Sequence, residues 1–238
     1  MIQGARIVVF AKAPQAGRVK TRLVPALGAT GAARLARHML DHALAQALGA
    51  DVGPVELSMS PGPDDPAWQG IKIPAGVLRT DQGEGDLGAR MARAVHRVTV
   101  GGRESGAPDA PERHAAGQPV LLMGTDCPAL TAGVIAQAAQ QLEHHDAVMI
   151  PVADGGYVLL GLRADCPALF SDMAWSTPVV AGETCRRLTA MGLRLWRGPT
   201  LHDIDEPADL AHLPAGWHFH DQNGLIPASN GHKQLSIP

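Results

Sequence analysis

The 238-residue chain has no CxxC pair, and its three cysteines, Cys127, Cys166 and Cys185, stand far apart and are odd in number. That spacing offers neither a zinc site nor a complete set of disulfides, and it fits reduced thiols in a cytoplasmic protein. Long apolar runs are missing too. None approaches the roughly 18 residues of a membrane span, and MIQGARIVVFAKAP lacks a signal peptide's extended apolar region and cleavage site. Neither charge dominates: 20 basic residues face 23 acidic ones, a formal net charge of −3. Such a balance argues against nucleic acid as a partner and makes a local cluster of one sign informative. Two familiar nucleotide-binding signatures are also absent, because the segment after the first apolar run carries neither GxGxxG nor P-loop spacing.

What is present is a set of short apolar runs alternating with helical patterns. RIVVFA (6–11), PVELSMS (54–60), GVLRT (76–80), PVLLMG (119–124), DAVMIPVA (146–153), YVLLGL (157–162) and LRLWR (193–197) read as strands. Helical periodicity runs from Thr30 to Gly49, from 87 to 98 behind Asp86 as N-cap, from about Thr131 to His144, and from 178 to 191. EPADLAHL (206–213) adds a short helix. His38 and His42 lie four apart on the first helix without a neighbouring glutamate, so a surface face explains them, and Met39 and Met91 fall on apolar, core-facing stripes. Residues 101–118 have no hydrophobic period and read as a loop or insertion; beyond Pro214 the polar sequence reads as a loosely held tail. The expected organisation is one α/β domain over residues 1–213 with a tail over 214–238. Its sheet is mostly parallel with one antiparallel excursion where two runs are separated only by Asp154, Gly155 and Gly156.

Ligands of open α/β sheets bind beyond the carboxyl ends of the strands, and here those ends are polar. FAKAPQAGRVKTRL (10–23) places Lys12, Arg18, Lys20 and Arg22 after the first strand. Thr125 and Asp126 follow PVLLMG, Asp154 sits in the excursion, and HDIDE carries Asp203 and Asp205. Carboxylates not consumed by those cations suit a hard divalent ion, and cations beside such an ion suit phosphate oxygens. Each residue also has a local explanation. Asp126 and Asp205 can cap turns or helix starts, Asp154-Gly155 is a hairpin signal, and the cations can belong to a solvated loop. It is their joint occurrence at strand ends that favours a metal and nucleotide phosphate site.

FAKAPQAGRVKTRL, GDLGARM (85–91), LLMGTDCPAL (121–130), VADGGYVLLGL (152–162), WSTP (175–178) and DIDEPADL (203–210) occur in that order. Together, from about residue 5 to 212, they resemble the bacterial family of nucleotide-diphospho-sugar transferase-like proteins, glycosyltransferases of the radical SAM and selenodomain-associated type. That family is similar to the GT-A superfamily, which also holds 2-phospho-L-lactate guanylyltransferase. The resemblance implies a Rossmann-like GT-A fold with a mixed, mostly parallel sheet flanked by helices. It implies a transferase dependent on Mg²⁺ or Mn²⁺, held by Asp126 with Asp205. Arg18, Lys20 and Arg22 would then contact phosphates, and Ala11, Lys12 and Ala13 the base and ribose. Gly155, Gly156 and Tyr157 would face a small-molecule acceptor, with Asp126, Lys20 and Asp154 as the catalytic set and Asp154 as general base. The donor implied is a nucleotide-diphospho-sugar. GTDCP is not a full DxD, the metal signature of many GT-A glycosyltransferases, so nucleotidyl transfer from a nucleoside triphosphate with release of pyrophosphate stands as the alternative. A non-catalytic nucleotide-binding module is a third reading; it predicts loss of a metal carboxylate, whereas both Asp126 and Asp205 are present. These motifs encode neither the donor base, the acceptor nor the oligomeric state.

Overall fold

The computed structural model describes residues 4–101 and 118–217. Its frame is a seven-stranded sheet of β1 (Arg6–Lys12), β2 (Val55–Ser60), β3 (Leu78–Asp81), β4 (Val120–Met123), β5 (Ala147–Pro151), β6 (Tyr157–Leu162) and β7 (Leu195–Arg197), in the order β3-β2-β1-β4-β6-β5-β7. β6 runs antiparallel to β4 and β5, while every other pairing is parallel. This is the mixed, mostly parallel sheet that the alternation of runs predicts, and β6 is the excursion.

Strand side chains alternate between faces, and this period of two divides the core. Ile7, Val9 and Ala11 of β1 pack with α1 (Val24–Gly49) and α3 (Ala132–Gln141). Val8 and Phe10 face α2 (Leu87–His96) and α4 (Val180–Ala190). The caps follow the sequence: the Asp86 carboxylate accepts from Ala89 N–H at 2.8 Å, and the Thr131 hydroxyl accepts from Val134 N–H at 3.4 Å. Gly28 breaks α1 with φ 67° and ψ 165°, so regular helix resumes beside Thr30, where the periodic pattern starts.

Some elements differ from the sequence reading. The run 206–213 forms a 3-10 helix, Pro207–His212, because Asp209 bonds back to the backbone N–H groups of Asp205 and Glu206 and tightens the turn. Past His96 the chain continues as a π-helical turn, Arg97–Gly101. Most of the expected 101–118 loop and residues 218–238 of the expected tail lie outside the described residues. The tail's first residues are not loose: Trp217 packs edge-on against His38 at 4.1 Å and His42 at 5.1 Å between ring centres. Those histidines thus dock an aromatic ring, and His42 Nε2 also lies 3.0 Å from the Pro128 carbonyl oxygen. Among the described residues no helix is long and apolar enough to cross a membrane.

Toward the amino ends of β1 and β2, an ion network closes the sheet. Glu56 is fully buried and binds Arg97 through both carboxylate oxygens, Arg6 at 3.5 Å and the Thr80 hydroxyl at 2.7 Å. Burial pushes its carboxyl up, but the Arg97 bonds and charge, with Thr80 and Arg6, hold it below the ordinary range. The pairing therefore contributes stability at neutral pH, and this contribution is lost only as pH falls below the usual carboxylate range. Glu56→Gln strands two cations and should cost about 3 kcal/mol, toward the low end for a broken buried pair because the Arg97 side chain is 30% exposed. Urea unfolding at pH 7 and pH 3 checks this, with the difference from wild type shrinking at the lower pH.

Candidate active site

β1 is flanked by β2 on one side and β4 on the other, so the chain order switches direction between β1 and β4. A crevice beyond the carboxyl ends follows from that topology. The start of β6 arrives at the same place, since it runs antiparallel and pairs Leu159 with Met123 at the end of β4. A cleft of about 500 Å³ opens there.

The loop after β1 leaves the sheet by a bond from Ala13 N–H to the Ser60 carbonyl, 2.8 Å, and turns at Gly17 with φ 75°. At Lys20 the backbone adopts φ 47° and ψ 42°, a left-handed conformation uncommon for a residue with a Cβ. The Lys20 side chain is only 6% exposed, with its ammonium 3.0 Å from Asp126 Oδ1 and 3.5 Å from Asp205 Oδ1. A charge so deeply placed requires such partners. Asp126 does not cap the turn that follows it. Its carboxylate, 52% exposed, meets Lys20 and, at 3.4 Å, the Thr125 hydroxyl.

The segment after β7 reaches the site along β5. Leu201 bonds to Pro151 and Ala153, and Ile204 N–H donates to the Asp126 carbonyl at 2.8 Å. This path brings Asp203 into the cleft lining. Burial raises the Asp203 carboxyl above its ordinary range; the Asp154 charge and, more weakly, that of Asp126 add to the rise, and Lys20 opposes it. Asp205 is placed differently. The turn into the 3-10 helix carries it to the rim, where Arg22 binds it at 2.6 Å and reaches Glu206 at 4.0 Å. The ammonium is thus held between Asp126 and Asp205, while the carboxylates that line the cleft are Asp126, Asp154 and Asp203.

Of the residues that the sequence nominates, Ala11, Lys12, Arg18, Lys20, Asp126, Asp154, Gly156 and Tyr157 line the cleft. Ala13, Arg22, Gly155 and Asp205 do not. Asp154 serves its hairpin by accepting from Gly156 N–H at 2.8 Å through Oδ1, and it still faces the cleft. Gly155 is turned against Pro178: a Cβ there would sit 2.0 Å from the Pro178 carbonyl oxygen. Tyr157 offers the cleft its ring, because its hydroxyl is buried toward Thr184. Burial raises that hydroxyl well above the normal tyrosine range, outweighing the lowering influence of the nearby Thr184, so it stays protonated. Cys127, next to Asp126, is no nucleophile either: burial lifts its thiol to about 11.

Sequence reasoning names Asp203 among the strand-end carboxylates of HDIDE but gives the metal role to Asp205, and it passes over Gln82. Gln82 is 6% exposed and donates to the carbonyls of Ala11 at 3.1 Å and Ser58 at 2.9 Å, fixing the ends of β1 and β2. Only its position after GVLRT hinted at this. Among the described residues, no group of three or more His, Cys, Asp or Glu is arranged to hold a metal by itself.

Mutual repulsion among Asp203, Asp154 and Asp126 opposes folding at neutral pH when no cation is added. Asp203→Asn removes the most buried contributor to that repulsion and should raise Tm at pH 7 in chelator, with little gain at pH 3, where the wild-type carboxyl is largely protonated. Differential scanning calorimetry at the two pH values checks both the sign and the pH dependence.

Comparison with known proteins places this geometry. Across 85% of the chain, the structure matches 82% of a candidate nucleotide-diphospho-sugar transferase from Desulfovibrio desulfuricans G20, with 29% identity and a TM-score of 0.72. The fold extends to more distant proteins. A nucleotidyl transferase from Methanothermobacter thermautotroptrophicus has 16% identity and a TM-score of 0.54, over 88% of this chain and 95% of that one. A CMP:2-keto-3-deoxy-manno-octonic acid synthetase complexed with CTP has 15% identity and a TM-score of 0.52, over 88% and 96%. No curated protein sequence matches the chain significantly. The model of a bacterial protein family, described as uncharacterized protein conserved in bacteria (DUF2064), matches residues 43–177, more than half of the sequence, and the chain belongs to that family.

Proposed function

We propose that this protein is a divalent-metal-dependent transferase that moves the sugar of a nucleotide-diphospho-sugar to a small hydroxyl acceptor. The observation that carries the reading is Lys20: a nearly buried ammonium, on left-handed backbone, set between carboxylates at the strand ends. The relative at 29% identity, a candidate nucleotide-diphospho-sugar transferase, supports the choice of donor.

Asp126 and Asp203 are hard oxygen donors that meet at the strand ends, the chemistry Mg²⁺ or Mn²⁺ prefers. An ion that keeps waters and takes substrate phosphates needs only one or two protein carboxylates, which the donor set fits. Bound there, it supplies Lewis-acid charge to the diphosphate oxygens. Asp203 takes the second metal position that sequence resemblance gave to Asp205, because it lines the cleft with Asp126, whereas Asp205 lies at the rim with Arg22. Lys20, with Arg18 and Lys12, neutralises charge developing on the leaving diphosphate. Ala11 and Gln82 border the place for base and ribose, with Ala13 behind them, and Arg22 holds the rim closed through Asp205.

Asp154 accepts the acceptor's proton through the oxygen not engaged by Gly156. The acceptor oxygen then bonds to the anomeric carbon, the bond from that carbon to the β-phosphate oxygen breaks, and a nucleoside diphosphate leaves. Gly155 and Gly156 shape the turn that holds this carboxylate. The three free thiols suit work in the cytoplasm.

Nucleotidyl transfer is the second reading, favoured by three cations on one lining, Lys12, Arg18 and Lys20, enough for a β,γ-diphosphate. Thermal unfolding with Mn²⁺ separates the two. Under the sugar-transfer reading UDP-, GDP- or dTDP-sugars raise Tm at least as much as the matching triphosphates; stabilisation by triphosphates alone, with pyrophosphate released, would establish the other.

Charge-assisted bonds to phosphate contribute about 1.5–3 kcal/mol each, so Lys20→Ala should weaken nucleotide binding by about one to two orders of magnitude. Arg22→Ala, at the rim, should cost several-fold less. Asp126→Asn should remove the Mn²⁺-dependent part of the affinity. Calorimetric titration of all three variants, with a nucleoside lacking phosphates as control, checks the ranking.

A further inference from the structure

The cleft is electrically lopsided. Among the described residues, its charged lining comes from the β1 loop, the end of β4, the 152–156 turn and the segment after β7: Lys12, Arg18, Lys20, Asp126, Asp154 and Asp203. Another part of the lining, contributed by α2, β6 and the stretch 175–180, brings Met91, Tyr157, Trp175, Ser176, Thr177 and Val180 to the cleft and, among the described residues, no charged side chain. It is the cleft-facing rim of the core between α2 and α4.

This wall is preformed. The Trp175 ring lies across the first turn of α2, so close that a Cβ on Gly88 would stand 2.6 Å from its Nε1 and 2.9 Å from Cζ2. Ala181 N–H donates to the Gly155 carbonyl at 2.9 Å, bolting the start of α4 to the turn that carries Asp154. The Thr177 hydroxyl is spent on the Ala174 carbonyl at 2.6 Å, and the Tyr157 hydroxyl is buried. What the wall presents is therefore mainly aromatic and aliphatic surface beside a carboxylate, with the Ser176 hydroxyl as its neutral polar group.

Resting on the transfer reading above, we infer that the acceptor is an uncharged hydroxyl compound with an apolar or ring face, held against Trp175 and Tyr157, and not a phosphorylated or carboxylated one. A phosphate on this wall would be desolvated with no cation in the described lining to meet it, since the α2 arginine near the cleft, Arg90, is engaged with Gly85, Ser60 and Gln82, and it would approach Asp154, which repels it. A ring face loses no such partner and gains stacking and apolar burial on the indole. The charged side of the cleft is already committed to the diphosphate and its metal.

The test fills the nucleotide site first. UDP, GDP and dTDP are titrated with Mn²⁺ by calorimetry, and the tightest is kept at saturation. The neutral probe 4-nitrophenyl β-glucoside and the anionic probe 4-nitrophenyl phosphate are then titrated in turn. The expected result is a Kd for the neutral probe at least tenfold below that for the anionic one. Trp175→Ala should weaken the neutral probe at least tenfold while leaving the nucleotide Kd unchanged, which also shows that the variant is folded. Val180→Lys should bring the anionic probe into the site. Equal or tighter binding of 4-nitrophenyl phosphate by wild type, indifference of the neutral probe to Trp175, or binding of neither probe overturns the inference while leaving the nucleotide reading intact. Failure of all three nucleotides to bind overturns the transfer reading itself, and this inference with it.

Discussion

A buried ammonium must have anionic company, and the site is organised around that requirement. Lys20 is drawn down from the loop after β1 by two carboxylates that belong to different parts of the chain, Asp126 at the end of β4 and Asp205 beyond β7. Three segments, distant in sequence, are thereby pinned at one strand edge. The backbone bond from Ile204 to Asp126 and the burial of Ile204 beside Leu23 and Leu35 repeat the connection in apolar terms. The left-handed turn at Lys20 is the local cost of aiming its side chain inward, and it is sustained because the surrounding contacts leave the residue no better alternative.

The two ends of the sheet handle charge in opposite ways. Toward the amino ends of β1 and β2, Glu56 is fully buried and both its oxygens are taken up by Arg97, Arg6 and Thr80. At the carboxyl ends, Asp126 is half-exposed and Asp203 is held above its ordinary range by burial and by like charge. A satisfied network rigidifies; an unsatisfied one is available for binding. Both pair carboxylates with cations, and the extent of burial together with the count of partners separates scaffold from candidate site.

Much of this was legible in the sequence, for physical reasons. Fully buried strands must be apolar on both faces, so RIVVFA, PVLLMG and YVLLGL declared themselves. The three-residue gap at Asp154, Gly155 and Gly156 could only join antiparallel neighbours. Asp86 and Thr131 announced helix starts through capping chemistry. Other features depended on tertiary geometry that local sequence does not carry. Asp203 and Asp205 are both acids at a strand exit, and choosing between them requires the turn that Asp209 imposes by bonding back to Asp205 and Glu206. That the Tyr157 hydroxyl is buried, near Thr184 of a helix more than twenty residues later, is set by packing that local sequence does not carry. Trp217 looked like part of a loose tail because its partners, His38 and His42, lie at the other end of the chain.

Gly155 has a consequence for how such a protein can diversify. With the Pro178 carbonyl oxygen 2.0 Å from where a Cβ would be, and its own carbonyl taken by Ala181, this position admits no side chain without parting the turn from α4. The turn and the wall therefore move as one piece. Side chains at Trp175, Thr177 and Val180 can be exchanged on this fixed frame, whereas loop movement would carry the carboxylate of Asp154 away with the start of α4. The character of this lining and the position of that carboxylate are thus separable by substitution but coupled by insertion.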